Sequence, residues 1–175
     1  QKRSALTSLQ EQFRQRSTGK TYLALVLGDW PESKKVINTP LHKYLLPGQN
    51  GQEGERRVKT TTKDDPNGMH ALTLVKVAQR LQLPLGAFTL LEVTIKTGRT
   101  HQIRVHLASA GHPIAGDAKY GDFEQNKALA KAGLMRMFLH AWQLQFTHPA
   151  STEAVALQAD LPLDLAQWVD ACTAP

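Results

Sequence analysis

Residues 91–107 carry the densest structural signal in the chain and read LEVTIKTGRTHQIRVHL. Apolar and polar residues alternate from Leu91 to Lys96, which is the period-two pattern of a half-buried strand. A Thr-Gly pair then interrupts the strand, and Thr100 stands where it would cap a helix whose apolar side begins at Ile103. The stretch therefore predicts a strand, a turn and a helix in immediate succession.

Two arginines give this stretch a chemical character as well. The first backbone N–H groups of a helix lack partners within the helix and lie at the positive end of its dipole, so Arg99 beside them predicts a phosphate-binding corner. Arg104 lies one turn further along, among Ile103, Val105 and Leu107. An arginine in such surroundings is at least partly buried, and a buried guanidinium requires an anionic partner. We therefore expect a carboxylate or a phosphate to meet Arg104.

Composition sets the broad class of the protein. The chain has 175 residues, of which 41% are hydrophobic, and this is enough for one domain with a buried core. The one cysteine, Cys172, excludes an internal disulfide and a cysteine-based metal cluster. No apolar run approaches the roughly 20 residues that span a bilayer, and the first residues lack the hydrophobic segment of a signal peptide. We expect a cytoplasmic protein that does not associate with membranes.

Positive charge is concentrated in the body of the chain. The net charge is +6, but residues 150–175 contain no Lys or Arg, so residues 1–149 hold all 21 basic residues and 11 of the 15 acidic ones. The excess of basic residues over 1–149 favours a polyanionic partner, most commonly a nucleic acid. A solvated lysine-rich surface explains the charge equally well, so charge alone leaves both interpretations open.

The remaining pattern predicts an α+β fold with a largely antiparallel mixed β-sheet and flanking helices. Residues 21–27 are apolar on both faces, which is typical of a central, buried strand. Turn residues separate the other predicted elements. Further strands are predicted around 35–39, 70–79, 88–96, 142–146 and 155–159, and helices over 4–13, 122–132 and 164–171.

Several catalytic classes lack their sequence patterns. His101, His106 and His112 invite a metal site, but the first two lie roughly 140° apart around a helix and no carboxylate occupies the zinc-protease position. Packing and hydrogen bonding in the interior is the favoured alternative for His101, His106 and His140. The chain also lacks a Gly-x-Ser-x-Gly elbow and a nucleotide-binding loop. No metal is expected, and a metal-dependent hydrolase is the weakest of the alternatives.

Taken together, these motifs resemble a known family. Residues 97–106 (TGRTHQIRVH), followed by 111–114 (GHPI), 116–117 (GD) and 120–121 (YG), are similar to the signature of the RNA pseudouridine synthases that modify ribosomal large-subunit RNA. Residues 20–28 (KTYLALVLG) resemble the tyrosine-bearing strand of that family. Further matches at 1–13, 139–141 and 146–149 extend the resemblance over nearly the whole chain.

The resemblance implies the pseudouridine synthase fold and isomerisation of uridine to pseudouridine in ribosomal RNA, without a cofactor and with the target base flipped out of its stack. It assigns catalytic roles to two residues. Tyr22 would stack on the uracil or take the proton from C5, and Arg104 would pair with a catalytic aspartate. The residues expected to contact the RNA are Lys20, Lys96, Arg99, Thr100, His101 and Gln102.

The chain departs from the family pattern at the nucleophile. The family's aspartate lies in a His-Arg-Leu-Asp segment followed by Thr-Ser-Gly, and no such segment occurs in residues 1–175. Asp29 and Asp117 match other positions of the pattern, so neither is assigned as the nucleophile. We therefore expect residues 1–175 to be the C-terminal portion of a single catalytic domain, monomeric and inactive alone. The alternative is a non-catalytic RNA-binding module of the same fold.

Overall fold

The computed structural model describes residues 19–147, 154–158, 160 and 162–173. The predicted helix over 4–13 lies outside these residues. Within these residues lie eight strands: β1 (Gly19–Leu27), β2 (Val36–Ile37), β3 (Leu41–Leu45), β4 (Arg56–Thr60), β5 (Thr73–Leu83), β6 (Gly86–Ile95), β7 (Leu139–Thr147) and β8 (Ala154–Gln158). Three helices accompany them: α1 (Gln102–Ser109), α2 (Phe123–Lys131) and α3 (Leu163–Thr173). No described helix is long and apolar enough to cross a membrane.

Six of the strands form one antiparallel sheet in the order β2-β5-β6-β1-β7-β8. β1 lies between β6 and β7, which confirms the prediction of a central strand from its apolar character on both faces. Tyr22 of β1 is opposite Val93 on one side and Ala141 on the other. The register with β7 shifts between Thr21 and Tyr22, so a β-bulge lies beside Tyr22. The predicted α+β class with a largely antiparallel sheet is confirmed.

The central strand divides the core between the two faces of the sheet. On one face, Leu23 and Leu25 belong to a cluster that includes residues of α2 and α3, such as Leu129 and Trp168. On the other face, Ala24 and Val26 belong to a cluster with Ile103 and Leu107 of α1. Since side chains alternate between faces along a strand, Tyr22 lies on the α1 side and packs against that second cluster. Helix α1 and Tyr22 therefore share one face of the sheet.

A second sheet, the hairpin of β3 and β4, packs against α1. Leu41 and Val58 of the hairpin join Ala71 and Val105 in a small buried cluster. This hairpin was not predicted, because its strands are five residues long and carry several exposed charged side chains. Its stability depends on burying a few apolar residues against α1, which a local pattern does not reveal.

One predicted helix start is wrong and one is confirmed. Helix α1 begins at Gln102 and not after a Thr100 cap: the N-cap residue is His101, which has φ 52° and ψ 22° and makes no capping hydrogen bond through its side chain. By contrast, Asp122 caps α2 as predicted, because its carboxylate accepts the N–H of Gln125. Gly133, with φ +105°, lies just beyond the end of this helix.

The position of β1 generates a stability prediction. Leu25 is fully buried in the middle of the sheet, so Leu25→Ala is expected to lower the free energy of unfolding by about 3 kcal/mol through lost burial and the cavity left behind. Urea denaturation of the chain measures this value. Met135→Ala is the matched control, because Met135 is 84% exposed and its truncation is expected to change stability by less than about 0.5 kcal/mol. Equal effects of the two substitutions would contradict the assignment of β1 to the core.

Candidate functional site

A bidentate ion pair joins Arg104 of α1 to Asp117. Arg104 Nε donates to Asp117 Oδ2 at 2.9 Å, and Arg104 Nη2 donates to Asp117 Oδ1 at 2.7 Å. The side chain of Asp117 is only 1% exposed and that of Arg104 is 16% exposed. The expectation that an anion meets Arg104 is confirmed, and this anion belongs to the chain itself. The catalytic aspartate that the family resemblance pairs with Arg104 is a different acid, and that pairing stays a prediction.

The carboxylate of Asp117 is saturated with hydrogen bonds. Besides Arg104, its Oδ1 accepts the backbone N–H groups of Lys119 at 2.9 Å and Tyr120 at 3.1 Å. Burial by itself raises the pKa of Asp117, but the bonds from Arg104 and the two backbone N–H groups outweigh it and hold the pKa below 3.8. The same ion pair raises the pKa of Arg104. A buried carboxylate with this many donors anchors the arginine and is a poor nucleophile.

Tyr120 connects this ion pair to the hairpin. Its hydroxyl accepts the backbone N–H of Val58 in β4 at 3.0 Å and lies 2.8 Å from His101 Nδ1. The guanidinium of Arg104 lies over the ring, 5.1 Å from its centroid, and that of Arg57 lies 6.0 Å from it. These distances are within the range of cation–π attraction.

His101 is a half-buried neutral base at the start of α1. Burial lowers its pKa, and the positive charges of Arg104 and Lys119 lower it further, against a smaller opposing effect of Asp117. Since Tyr120 already accepts the N–H of Val58, its O–H is available to donate to His101 Nδ1. The αL backbone of His101 places its ring edge-on to that of Tyr120, with centroids 5.4 Å apart.

Gln102 does not face a ligand, which corrects the expectation that it contacts RNA. Its side chain is 3% exposed. Its Oε1 accepts from Thr97 Oγ1 at 2.6 Å and from the N–H of Arg99 at 3.1 Å. Its Nε2 donates to the carbonyl of Leu72 at 3.0 Å and to Thr73 Oγ1 at 2.9 Å. Because the amide is fully satisfied inside the protein, Gln102 fixes the turn before α1 and ties it to β5.

The other histidines of the signature are interior residues with separate partners. His106 is fully buried between Thr39 O, 2.8 Å from its Nε2, and Thr73 Oγ1, 2.7 Å from its Nδ1. Burial lowers its pKa, so the ring is neutral and donates from Nε2 to the carbonyl. His112 Nδ1 lies 2.8 Å from the carbonyl of Leu27. Within residues 19–147 and the described C-terminal segments, no group of three or more His, Cys, Asp or Glu is placed to hold a metal ion.

The remaining candidates lie around the turn before α1. Lys20 of β1 is opposite Ile95 of β6, so Lys20 and the exposed Lys96 lie at the same end of neighbouring strands. Arg99 is half-buried, and its Nε donates to the carbonyl of His70 at 2.8 Å. Tyr22 is half-buried on the same face of the sheet as α1. The structure thus brings the basic turn, the tyrosine strand and the α1 helix to one region.

A cleft of about 220 Å³ separates the hairpin from this turn. Thr100 lines it together with basic and aromatic residues of β3 and β4, among them Lys43, Tyr44, Arg56 and Arg57. The Nε of Arg57 is buried without a hydrogen-bond partner among the described residues. None of these hairpin residues was singled out from the sequence. The alternation of residues 41–45 and 56–60 was the available signal, but each run is short.

Comparisons with known proteins agree with the resemblance found in the sequence. The family model described as RNA pseudouridylate synthase matches residues 1–109. Ribosomal large subunit pseudouridine synthase C of Salmonella typhimurium is 45% identical over 165 residues, which are 93% of this chain and 47% of that protein. The protein of the same name from Escherichia coli K12 shows the same identity and coverage. The chain therefore spans about half the length of these curated relatives.

A solved structure is similar as well. Human RNA Pseudouridylate Synthase Domain Containing 1 superposes with a TM-score of 0.69 and 29% sequence identity, covering 95% of this chain and 63% of that one. Human RNA Pseudouridylate Synthase Domain Containing 4 gives a TM-score of 0.66 and 25% identity, with coverage of 93% and 65%.

The Arg104–Asp117 ion pair generates a prediction with a pH dependence. Asp117→Asn is expected to lower the free energy of unfolding by about 3 kcal/mol near neutral pH, because it leaves a buried guanidinium without its counter-charge. The pKa of Asp117 is lower in the folded chain than the 3.8 of a free side chain, so its stabilisation is complete above that value and is lost as the pH falls below it. The difference in free energy of unfolding between the unmodified chain and the Asp117→Asn protein is therefore expected to decrease below about pH 4.

Urea denaturation from about pH 7 to about pH 3 checks this prediction. Asp164→Asn is the matched control, because Asp164 also binds an arginine, Arg136, but its side chain is 63% exposed. Its loss is expected to cost less than about 1 kcal/mol. An Asp117→Asn protein as stable as the Asp164→Asn protein would show that the buried pair does not anchor α1.

Proposed function

The chain belongs to the RNA pseudouridylate synthase family, and we propose that the protein of which it forms part isomerises uridine to pseudouridine in large-subunit ribosomal RNA. The bond between C1′ of the ribose and N1 of uracil breaks, the base rotates, and C1′ bonds to C5. The C5 proton then leaves and N1 takes up a proton, so the reaction requires no oxidant or cofactor. The names of the relatives support ribosomal RNA as the substrate.

The observation that carries this proposal is the fixed position of Arg104 on the sheet face that also holds Tyr22. Both residues lie in segments that match the family, and the side chains of Tyr22 and Ile103 join one buried cluster. Asp117 binds Nε and Nη2 of Arg104, and Nη1 takes no part in this pair. We assign Nη1 to the catalytic carboxylate, and Tyr22 to stacking on the uracil or to removal of the C5 proton.

The catalytic carboxylate is proposed to come from a segment that precedes Gln1 in the intact protein. Asp117 is saturated and buried, and Asp29 is exposed and binds Arg80 at 3.3 Å. Asp117 is therefore not free to react, and Asp29 lies beyond Leu27, at the end of β1 away from Lys20, so neither can attack a nucleoside next to Tyr22. Residues 1–175 therefore supply the arginine, the tyrosine and the RNA-contacting turn of one catalytic domain, and are inactive by themselves.

RNA binding is assigned to the exposed and half-buried polar groups around that turn. Lys20, Lys96, Arg99 and Thr100 lie at one end of β1, β6 and α1, where they can contact phosphates on either side of a flipped uridine. His101 offers its ring beside them, whereas Gln102 is left out of this set because it is buried.

A second candidate function is a non-catalytic RNA-binding module. This module requires only the fold and the basic surface of residues 1–175, and the described carboxylates do not replace the nucleophile. Both candidates use the same basic surface, so binding affinity and its salt dependence do not separate them. Turnover does.

The first test measures turnover directly. A protein extended upstream to include the aspartate segment is expected to release tritium from C5-labelled uridine in large-subunit ribosomal RNA, whereas residues 1–175 alone release none. Both are assayed at equal concentration, and filter binding of the same RNA serves as the control for folding. Release by residues 1–175 would contradict the upstream nucleophile. Binding without release by the extended protein would favour the binding module.

The second test addresses Arg104 and Tyr22 in the extended protein. Arg104→Ala and Tyr22→Ala are each expected to reduce tritium release by at least about 100-fold, because each removes a group that acts on the reacting nucleoside or its carboxylate. RNA affinity should change by less than about threefold. Lys127→Ala is the control, since Lys127 is an exposed residue of α2 that binds Glu124. An affinity loss equal to the loss of turnover would instead make Arg104 a phosphate contact.

A further inference from the structure

We propose that Tyr120 is a positioning residue: its hydroxyl fixes an aromatic ring that holds Arg104 in place and ties it to the β3–β4 hairpin. The kinetic part of this inference rests on the proposed function of Arg104. Tyr120 belongs to the same sequence motif as Asp117, the carboxylate that binds Arg104.

The hydroxyl of Tyr120 is held from two sides. Val58 is 4% exposed, and its backbone N–H donates to the hydroxyl oxygen at 3.0 Å. Because the hydroxyl oxygen already accepts from Val58, its proton is directed to Nδ1 of His101, at 2.8 Å. The chain of bonds from Val58 through Tyr120 to His101 connects the hairpin to the first residues of α1.

The ring positioned in this way is a surface for Arg104. The guanidinium lies 5.1 Å from the ring centroid while two of its nitrogens bind Asp117. Carboxylate and ring therefore restrain the same planar group, one within its plane and the other across its face. Because both groups restrain the guanidinium, the direction of its remaining nitrogen, Nη1, is fixed.

The turn that carries both partners requires glycine at two positions for steric reasons. Gly116 has φ +83°, and a Cβ there would lie 2.4 Å from the carbonyl oxygen of Arg136. A Cβ on Gly121 would lie 2.3 Å from the carbonyl oxygen of Asp117. The two glycines therefore allow a tight turn in which Asp117 and Tyr120, three residues apart, reach the same arginine.

The β3–β4 hairpin, which Tyr120 contacts through Val58, also borders the cleft of about 220 Å³. Arg57, which follows Arg56 in β4 and lines the cleft, also lies near the ring of Tyr120, at 6.0 Å, and donates to the carbonyl of Lys119 at 3.2 Å. Tyr120 is thus in contact with the hairpin through the backbone of Val58 and through the side chain of Arg57. A displacement of the hairpin changes the position of the ring on which Arg104 lies.

Tyr120→Phe tests the hydroxyl alone, because phenylalanine keeps the ring and its cation–π contact. The first measurement is the solvent exchange of the Arg104 Nε–H in the nitrogen-15 spectrum of residues 1–175, assigned by its loss in Arg104→Lys. We expect exchange to become at least about tenfold faster in Tyr120→Phe, because the restraint on the guanidinium is relaxed. Thr61→Val is the matched control: it removes a hydroxyl that binds Asp65 just beyond β4 and should leave this exchange unchanged. Unchanged exchange in Tyr120→Phe overturns the inference.

The second measurement is kinetic and uses the extended protein. Tyr120→Phe is expected to lower kcat about tenfold with KM unchanged within about twofold, at a temperature well below the melting points of both proteins. In an Arg104→Lys background, the same substitution should have no further effect, since it acts through the arginine. A purely structural tyrosine gives an unchanged kcat in folded protein, or an equal factor in both backgrounds, and either result overturns the inference. Absence of turnover in the parent protein contradicts only the proposed function, because the exchange measurement decides the role of Tyr120 independently.

Discussion

A guanidinium that is largely removed from water must keep its counter-ion within hydrogen-bond distance, since the cost of desolvation is otherwise uncompensated. In this protein the requirement falls on Arg104, and the carboxylate that meets it lies on a separate turn. The ion pair therefore fixes α1 relative to the segment between Gly116 and Gly121. Because Asn126 of α2 donates to the carbonyl of Asp117 and accepts the N–H of Gly116, the restraint extends to the next helix.

Buried amide and imidazole groups extend the same constraint to the sheet. Gln102 and His106 lie one helical turn apart on α1, and both bind Thr73 at the start of β5. Both side chains are buried, and the polar atoms of each are hydrogen-bonded to other groups of the protein. Polar groups in the interior cost stability unless they are paired, so this network allows essentially one position of α1 on the sheet. Gln102 and His106 of the signature thus fix the position of α1, whereas Arg104 supplies its buried positive charge.

Local sequence patterns predicted the elements whose own residues show a clear apolar pattern or a capping residue. The central strand followed from the apolar character of residues 21–27, and the Asp122 cap followed from its position before a helical pattern. The need of Arg104 for an anion was also predictable, because its neighbours in sequence are apolar. The identity of that anion was not: Asp117 reaches Arg104 only because the turn at Gly116 is formed. The β3–β4 hairpin and the burial of Gln102 depend likewise on packing between elements distant in sequence.

Tyr22 is half-buried, although the four residues that follow it in β1 are buried. Apolar clusters lie on both faces of β1, and Ala24 and Leu25 in its middle are fully buried. Between Thr21 and Tyr22 the register with β7 shifts, so Trp142 of β7 is left unpaired and the bulge lies on β7, opposite Tyr22. The tyrosine remains half-buried instead of being enclosed. A paired strand thus presents one half-buried aromatic side chain at the edge of the core, on the face of the sheet that α1 covers.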